Sequence, residues 1–156
     1  MRLIPHSPAE RATGSERKVF ALLSQVSLGQ NAFALSALNL AEHDYKRWGE
    51  IDFFIVAPEL VLALEVKGGT VDCVDGTWSF EDRLGRRIKK REAPLAQAQS
   101  AFSSLVKNYV VPIFGDSFLS RVPTGFATVF PFMCIPTQVD RGFRTMLTAK
   151  SDDVDR

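Results

Sequence analysis

The chain has 156 residues, enough for one domain of ordinary size, and 46% of them are hydrophobic, so that a proper core can be buried. A formal net charge of +1 excludes a strongly basic or acidic protein, so any electrostatic recognition of a partner must come from a local patch. The sequence has no run of the ~18 apolar residues that a membrane-spanning helix needs, and no apolar signal segment at its start, which predicts a cytoplasmic protein with no membrane partner.

The first predicted elements are an N-terminal lead over residues 1–13 and a helix that begins at Ser15. Thr13, followed three positions later by Glu16, fits a capping box, in which each side chain accepts a hydrogen bond from the backbone N–H of the other residue. Gly29 ends the helical pattern. The apolar residues of this helix recur at helical spacing: Val19, Leu22, Leu23 and Val26.

Three apolar stretches come next and predict the centre of a sheet. Residues 33–40 suit either the end of a helix or a first strand, and the strand is favoured. EIDFFIVA (50–57) and LVLALEVK (60–67) are typical of strands, and the short Pro58-Glu59 link between them predicts an antiparallel hairpin. Both runs are almost continuously apolar, which predicts a sheet covered on both faces.

The second half of the chain predicts a smaller hairpin, a helix and a last strand. The Asp-Gly pair at 75–76 is a hairpin signal, Pro94 suits the first turn of a helix that ends near Pro112, and a buried strand follows Pro123. Residues 137–156 are polar and predict a tail or linker. The order helix, strands, helix, strand indicates an α/β (α+β) domain with a central mixed β-sheet flanked by helices. The second helix has an apolar stripe: Leu95, Ala98, Phe102, Leu105 and Tyr109.

Three charges interrupt the two apolar strands. Counting from the Pro58-Glu59 turn, Asp52 is predicted to lie roughly opposite Glu65. Lys67 shares the face of Glu65, because residues i and i+2 of a strand point the same way. Charges on a buried sheet cost free energy unless something compensates them. The alternative to a binding site is a structural Glu–Lys pair with an aspartate at a strand end.

Two converging carboxylates in an apolar setting repel each other, so one takes up a proton or both hold a cation. Carboxylate oxygens suit hard cations such as Mg²⁺ or Mn²⁺. A neighbouring lysine can position a water molecule or stabilise charge on a phosphate. These groups together are typical of phosphodiester hydrolysis.

The stretch EIDFFIVAPELVLALEVKGGTV resembles the core of the PD-(D/E)XK nucleases, in which Asp is followed after a variable gap by Glu-x-Lys. It is more similar to the nuclease-related domain (NERD) branch, which has an E-I-D strand, a Pro-containing turn, an E-V-K strand and a glycine. Further matching features are Glu16 on the early helix, Trp78 after the E-V-K strand, and the P-x-x-Q start of a helix at residues 94–97. The resemblance covers about residues 14–132.

The resemblance implies a restriction-endonuclease-like core over residues 14–136 and a Mg²⁺-dependent (or Mn²⁺-dependent) DNA nuclease, of a kind that functions in DNA repair and is an endonuclease rather than an exonuclease. Asp52 and Glu65 would bind the metal with the carbonyl of Val66, and Lys67 would act on the water or the phosphate. The sequence departs from the family pattern at Gly68, where the family often has asparagine.

Two further catalytic candidates have ordinary alternatives. Glu16 shares a helix face with Phe20 and Leu23, which predicts that it points towards the core and the metal. Its alternative is the capping box with Thr13. Gln97 follows from the P-x-x-Q pattern and would support substrate or metal. On helical periodicity, Gln99 lies nearer the apolar stripe than Gln97, which otherwise would be an exposed first-turn residue.

The run RLGRRIKKR (83–91) is a candidate surface for nucleic acid. It would contact phosphates electrostatically and without sequence preference, beside the predicted site. The alternative is a solvated hairpin. Its candidate residues are Arg86, Arg87, Lys89, Lys90 and Arg91.

Other chemistries find little support in the sequence. Cys73 and Cys134 form no metal-binding pattern, His6 and His43 are typical of surface residues, and there is no Gly-rich phosphate loop. The competing function is a nucleic-acid-binding or docking module without turnover, joined to a helicase, a kinase or another fused domain. A weaker alternative is a structural interaction domain. Small domains of this nuclease type often act as homodimers, which adds a second copy to the predicted partners.

Overall fold

The structure is a computed structural model that describes residues 1–41, 49–74, 77–81, 85–118 and 120–132. Strands and helices are numbered separately in chain order. The strands are β1 (Arg2–Ile4), β2 (Phe33–Leu40), β3 (Gly49–Ala57), β4 (Leu60–Val66), β5 (Thr70–Val74), β6 (Thr77–Glu81), β7 (Arg87–Lys90) and β8 (Thr124–Val129). The helices are α1 (Gly14–Gln25), α2 (Pro94–Leu105) and α3 (Val111–Phe114), with a π-helical turn (Val106–Val110) and a 3₁₀ turn (Asp116–Phe118).

Five strands form the larger sheet in the order β1-β2-β3-β4-β8, and β5, β6 and β7 form a separate antiparallel sheet. The outer pairs of the larger sheet, β1 with β2 and β4 with β8, are parallel, whereas β2, β3 and β4 are antiparallel. The mixed sheet flanked by helices confirms the predicted α+β class and is consistent with a restriction-endonuclease-like core.

The hairpin of β3 and β4, called the central hairpin below, has the register that the short turn predicts. Ala57 pairs with Leu60 next to the turn, and the ladder continues to the pair Phe53 and Leu64. The two-residue turn at Pro58 and Glu59 leaves little freedom for slippage, and a slip of one residue would turn every apolar side chain to the wrong face.

Apolar clusters on the two sides of the larger sheet explain why β3 and β4 are apolar throughout. One cluster joins Phe20 of α1 to Phe53 and Leu64, and Phe53 is only 1% exposed. The other joins Phe102 of α2 to Ala63 and includes neighbouring residues of β2, β3 and β4. Both faces are covered, as predicted, and burial on both sides holds the two strands in place.

The helices begin and end at residues that are typical of helix termini. Thr13 caps α1 in a complete capping box with Glu16, which confirms that prediction. Pro94 occupies the first turn of α2, where the missing N–H costs nothing. The helical path that begins with α2 ends near Pro112, as expected. It passes through the π-helical turn and α3 and ends at Phe114, before Gly115 with its positive φ of 77°.

The sequence prediction was wrong for the N-terminal lead. The lead contains β1, which pairs with β2 and buries Leu3, so residues 2–4 belong to the sheet. The last strand follows Pro123 as predicted and ends at Val129. The 75–76 turn, the loop that contains His43, and the tail at 137–156 lie outside the described residues, although β5 and β6 pair on both sides of the turn as predicted.

Gly68 allows the end of β4 to lie against the start of α1. A Cβ atom at Gly68 would lie 2.2 Å from Oγ and 3.1 Å from Cβ of Ser15. Ser15 is itself buried, with 6% exposure. The absence of a side chain at Gly68 therefore determines how closely the central hairpin approaches α1.

We expect Gly68→Ala to lower the free energy of unfolding by about 1–3 kcal/mol, because a new methyl group would overlap the Ser15 side chain. The double variant Ser15→Ala/Gly68→Ala should recover part of the loss, since Oγ is the nearest atom. Urea unfolding followed by circular dichroism measures both effects.

The matched control is Gly125→Ala on β8, where the new Cβ would lie 3.5 Å from Cδ1 of Leu62, an ordinary contact. This substitution should leave stability unchanged or raise it slightly. An equal loss for both glycine variants would show that the Ser15 contact is not the cause.

Candidate active site

The Asp52 carboxyl group lies at the open end of the central hairpin, next to β4. The ladder pairs Phe53 with Leu64, so the next position in register places Asp52 opposite Glu65. The backbone N–H of Val66 donates a hydrogen bond of 2.6 Å to Oδ2 of Asp52. The side chain of one strand is thus tied to the backbone of the other, and the two carboxylates converge as the sequence predicts.

Lys67 and Glu65 form an ion pair on the same side of the chain. Nζ of Lys67 donates to Oε1 of Glu65, and the two side chains are only 18% and 14% exposed. Nζ of Lys67 also lies 6.0 Å from the centre of the Phe80 ring on β6, within the range of a cation–π contact. This geometry orients the lysine from two sides.

The pKa of Asp52 is raised from 3.8 to about 7, first by burial and then by the negative charge of Glu65. Glu16 adds a smaller repulsion in the same direction. The hydrogen bond from Val66 and the charge of Lys67 oppose the shift without cancelling it. The folded protein therefore keeps one carboxyl group in surroundings that disfavour its charged form.

Glu16 forms its predicted capping box and also acts electrostatically on Asp52. Its side chain accepts a 3.0 Å hydrogen bond from the N–H of Thr13 and closes the capping box. Its charge also acts on Asp52. Between Glu16 and Asp52 lies a small cavity of about 20 Å³, which is large enough for one water molecule.

Ser36 of β2 lines the same cavity, and sequence reasoning missed it. Its hydroxyl is buried and has no hydrogen-bond partner within the part of the chain that the structure describes. A buried hydroxyl without a partner costs free energy, and a water molecule in the cavity would satisfy it. Serine in an apolar strand gives little signal of such a role.

The backbone of β2 is distorted next to Asp52. Ala37 has a φ of +54° and lies between the pairs Ser36–Phe53 and Leu38–Ile51, so that it faces Asp52 in register. Alanine seldom adopts this left-handed conformation, which costs of the order of 1 kcal/mol. The strain lies beside the carboxyl cluster rather than in a turn.

The two glutamine candidates, Gln97 and Gln99, differ in how exposed they are to solvent. Gln97 is partly buried in the first turn of α2, and Gln99 is exposed, so the periodicity argument for Gln99 was wrong. Within the described residues, no hydrogen bond joins Gln97 to Asp52, Glu65 or Lys67. The structure thus brings Glu16 to the carboxylates but does not bring Gln97 into contact with them.

The basic candidates form an exposed edge of the smaller sheet. Every residue of β7 is exposed, as are Arg86 and Arg91 on either side of it. Arg87 pairs with Glu81, and Nζ of Lys90 lies 5.9 Å from the centre of the Phe80 ring. Phe80 therefore contacts one lysine of the carboxyl cluster and one of the basic edge.

Oxygen atoms suitable for a hard cation are present at the cluster, although the described residues contain no group of three or more His, Cys, Asp or Glu side chains placed to hold a metal. Two carboxylates and a backbone carbonyl match Mg²⁺, which usually keeps several water ligands. Oε2 of Glu65 has no hydrogen-bond partner within the described ranges, and the unfavourable charge on Asp52 would be relieved by a cation.

A comparison with protein families gives the context of this cluster. The model of the nuclease-related domain (NERD) matches residues 11–134. The chain belongs to the NERD family. Its function is accordingly nuclease-related, and the NERD match includes the central hairpin, both long helices and the smaller sheet. No curated protein and no solved structure matches the chain.

The described part of this NERD chain contains no helix with the length and hydropathy to cross a bilayer. That observation agrees with the absence of long apolar runs in the sequence. Residence in the cytoplasm stays a prediction.

We expect Asp52→Asn to stabilise the metal-free protein, and to do so more at pH 8 than at pH 5. The folded state binds the Asp52 proton more tightly than the unfolded chain, so stability falls as the pH rises from 3.8 through about 7. Asparagine has no such proton and can still accept the Val66 hydrogen bond. The difference between the two pH values should be about 2 kcal/mol.

Urea unfolding in EDTA at both pH values measures this effect. Asp116→Asn, at an exposed position of the 3₁₀ turn, is the control for the general loss of one negative charge. A gain from Asp52→Asn that is equal at pH 5 and pH 8 would contradict the prediction.

Proposed function

We propose that this NERD domain is a metal-dependent nuclease that hydrolyses phosphodiester bonds of DNA. The observation that carries the proposal is the partly buried Asp52 carboxyl group, which accepts a hydrogen bond from Val66 and faces Glu65, with its pKa raised to about 7. A structural strand-end aspartate gains nothing from such surroundings. A carboxylate that binds a cation does, because the metal offsets both burial and repulsion.

Asp52, Glu65 and the Val66 carbonyl are the groups that would hold Mg²⁺ or Mn²⁺. When bound, such an ion activates water and stabilises negative charge on a phosphate oxygen. Among the residues of the chain, Lys67 would donate from Nζ to the attacking water or to the phosphate. Glu65 orients that ammonium group through Oε1, and the Phe80 ring limits its movement on the other side.

Glu16 and Gln97 are proposed to support the reaction in different ways. Glu16 would hold the water of the small cavity together with Asp52 and Ser36. Gln97 lies in the first turn of α2, and its role would be a contact with substrate rather than with the metal-binding carboxylates.

DNA is the proposed partner, and the basic edge would contact its backbone. Arg86, Arg87, Lys89, Lys90 and Arg91 would bind phosphates without reading sequence. The shared contact with Phe80 connects this edge to Lys67. An endonuclease acting in DNA repair, a homodimer and a fused helicase or other domain are finer proposals that follow from the family resemblance.

A second candidate function is a nucleic-acid-binding or docking module without turnover. The Lys67–Glu65 pair favours it, because each charge already has a partner. The absence of a three-residue metal cluster among the described residues favours it also. The two functions differ in their need for metal, since binding by the basic edge requires none.

We expect the wild-type protein to convert supercoiled plasmid to nicked or linear DNA in Mg²⁺ or Mn²⁺, and not in EDTA. Asp52→Asn and Lys67→Gln should each lower the cleavage rate at least a hundredfold, because one removes a metal ligand and the other removes the charge beside the phosphate. Gel electrophoresis of time courses measures the rates.

The matched control is Glu59→Gln, which removes one carboxylate at the exposed turn on the opposite end of the central hairpin. It should cleave at the wild-type rate. Circular dichroism verifies that each variant is folded. Metal-independent binding without cleavage of single-stranded, duplex or branched DNA by folded wild-type protein would favour the binding module.

We expect Lys89→Ala/Lys90→Ala to weaken DNA binding and to make it less sensitive to salt. Each lost phosphate contact should reduce the slope of log K against log salt concentration by about 0.7 to 0.9. Fluorescence anisotropy over a series of NaCl concentrations measures the slope.

Lys18→Ala, which removes an exposed lysine of α1, is the control and should leave the slope unchanged. If both variants change it equally, the basic edge is not a distinct DNA-binding surface.

A further inference from the structure

An open groove lies between the start of α1, the end of β4 and the edge of the smaller sheet. We call it the α1–β6 groove. Its volume is about 290 Å³, and its walls include Ser15 and Glu16 of α1, Val66 of β4, Phe80 of β6 and Ile88 of β7. Gly68 and Gly69, which have no side chains, also line the groove.

The groove adjoins the carboxyl cluster. Val66 lines it and donates its N–H to Asp52, while Glu16 lines both the groove and the small cavity at Asp52. A chain of nucleotides whose phosphate reaches Asp52 and Glu65 would therefore place a neighbouring unit at the mouth of the groove.

The charges of the lining disfavour a phosphate inside the groove. Glu16 and Glu81 are both on its walls, against the guanidinium of Arg86. Glu16 stays close to the first turn of α1 through its bond to Thr13, so its negative charge is fixed there. A phosphate would approach two carboxylates, and like charges repel.

The uncharged groups of the lining suit a flat, partly polar molecule. Ile88 lies between two charged residues of β7 and is 59% exposed. Together with Phe80 it gives the groove an apolar wall. The lining also includes two residues with hydroxyl groups, Thr13 and the buried Ser15. An apolar surface that faces hydrogen-bonding groups is the arrangement that proteins use for an extruded base.

We propose that the α1–β6 groove binds one unstacked nucleobase of the DNA strand, beside the phosphate at the carboxyl cluster. The substrate would then carry at least one unpaired nucleotide at that position. This inference rests on the proposed nuclease function and specifies its substrate. The phosphates would follow the basic edge outside the groove, and the base would turn inward.

Size and stacking argue for a single base rather than a base pair. A volume of about 290 Å³ is at the lower limit for a small-molecule site. A base within a duplex is stacked and paired, so extracting it costs free energy that an unpaired nucleotide does not require.

The test compares two fluorescent strands of equal length and charge in EDTA: a twelve-nucleotide oligothymidylate and a strand of twelve abasic tetrahydrofuran units. Fluorescence anisotropy measures both affinities for the wild type and for Ile88→Ser. We expect the wild type to prefer the strand with bases at least fivefold. Ile88→Ser should reduce that preference to less than twofold and leave the affinity for the abasic strand unchanged.

Ile113→Ser is the matched control, because Ile113 is 70% exposed on α3 and lies outside the groove. It should keep the full preference. Ser15→Ala should lower the preference without lowering the affinity for the abasic strand. A duplex of the same length should bind more weakly than the single strand with bases.

The proposal is overturned if the wild type binds both strands equally, binds neither strand, or if Ile88→Ser keeps the full preference. Because the assay contains no metal, it is independent of cleavage. A protein that cleaves DNA but shows no preference for bases would retain the nuclease function without the groove. A protein that shows the preference but never cleaves would retain the groove without the nuclease function.

Discussion

The hydrogen bond from the Val66 amide to the Asp52 carboxyl group joins the two strands of the central hairpin at the end away from the Pro58-Glu59 turn. It requires the register set by the Pro58-Glu59 turn, and it holds an acidic group in a place that burial and neighbouring charges make unfavourable. The packing of Phe53 and Leu64 against α1 supplies the free energy that maintains this arrangement. The free energy gained by burying the apolar core thus offsets the unfavourable surroundings of Asp52.

Two further features beside Asp52 also lower the stability of the fold. The left-handed backbone at Ala37 and the unpartnered hydroxyl of Ser36 both lie on β2, next to Asp52. Each is unfavourable by itself, and both are retained beside the same carboxyl group. Backbone strain and a buried hydroxyl without a partner in the described part of the chain are both unfavourable, and both lie beside one carboxyl group.

The sequence was most informative where geometry is local. A two-residue turn determined the register that brings Asp52 to Glu65, and the Thr13–Glu16 spacing predicted the cap of α1.

Prediction failed where pairing is distant or where the residue type gives no signal. Residues 2–4 are too few to show a pattern and pair with a strand about thirty residues away. Nothing about alanine indicates the positive φ of Ala37. Helical spacing also misjudged Gln99, which is exposed whereas Gln97 is partly buried. The residues alone suggested a role for Lys67, and the family resemblance added Gln97. It did not explain Gly68, for which the close approach of Ser15 offers a physical reason.

Glu16 bonds to the Thr13 amide and also repels the charge of Asp52, which couples the carboxyl cluster to the first turn of α1. Its carboxylate can accept from the Thr13 amide and also face Asp52, but a ligand that draws it towards Asp52 would loosen the cap. The first turn of the helix would then open more often to solvent. Faster amide hydrogen exchange at Thr13 and Glu16 would therefore indicate that a ligand is bound beside Asp52. The measurement needs neither a label nor turnover of a substrate.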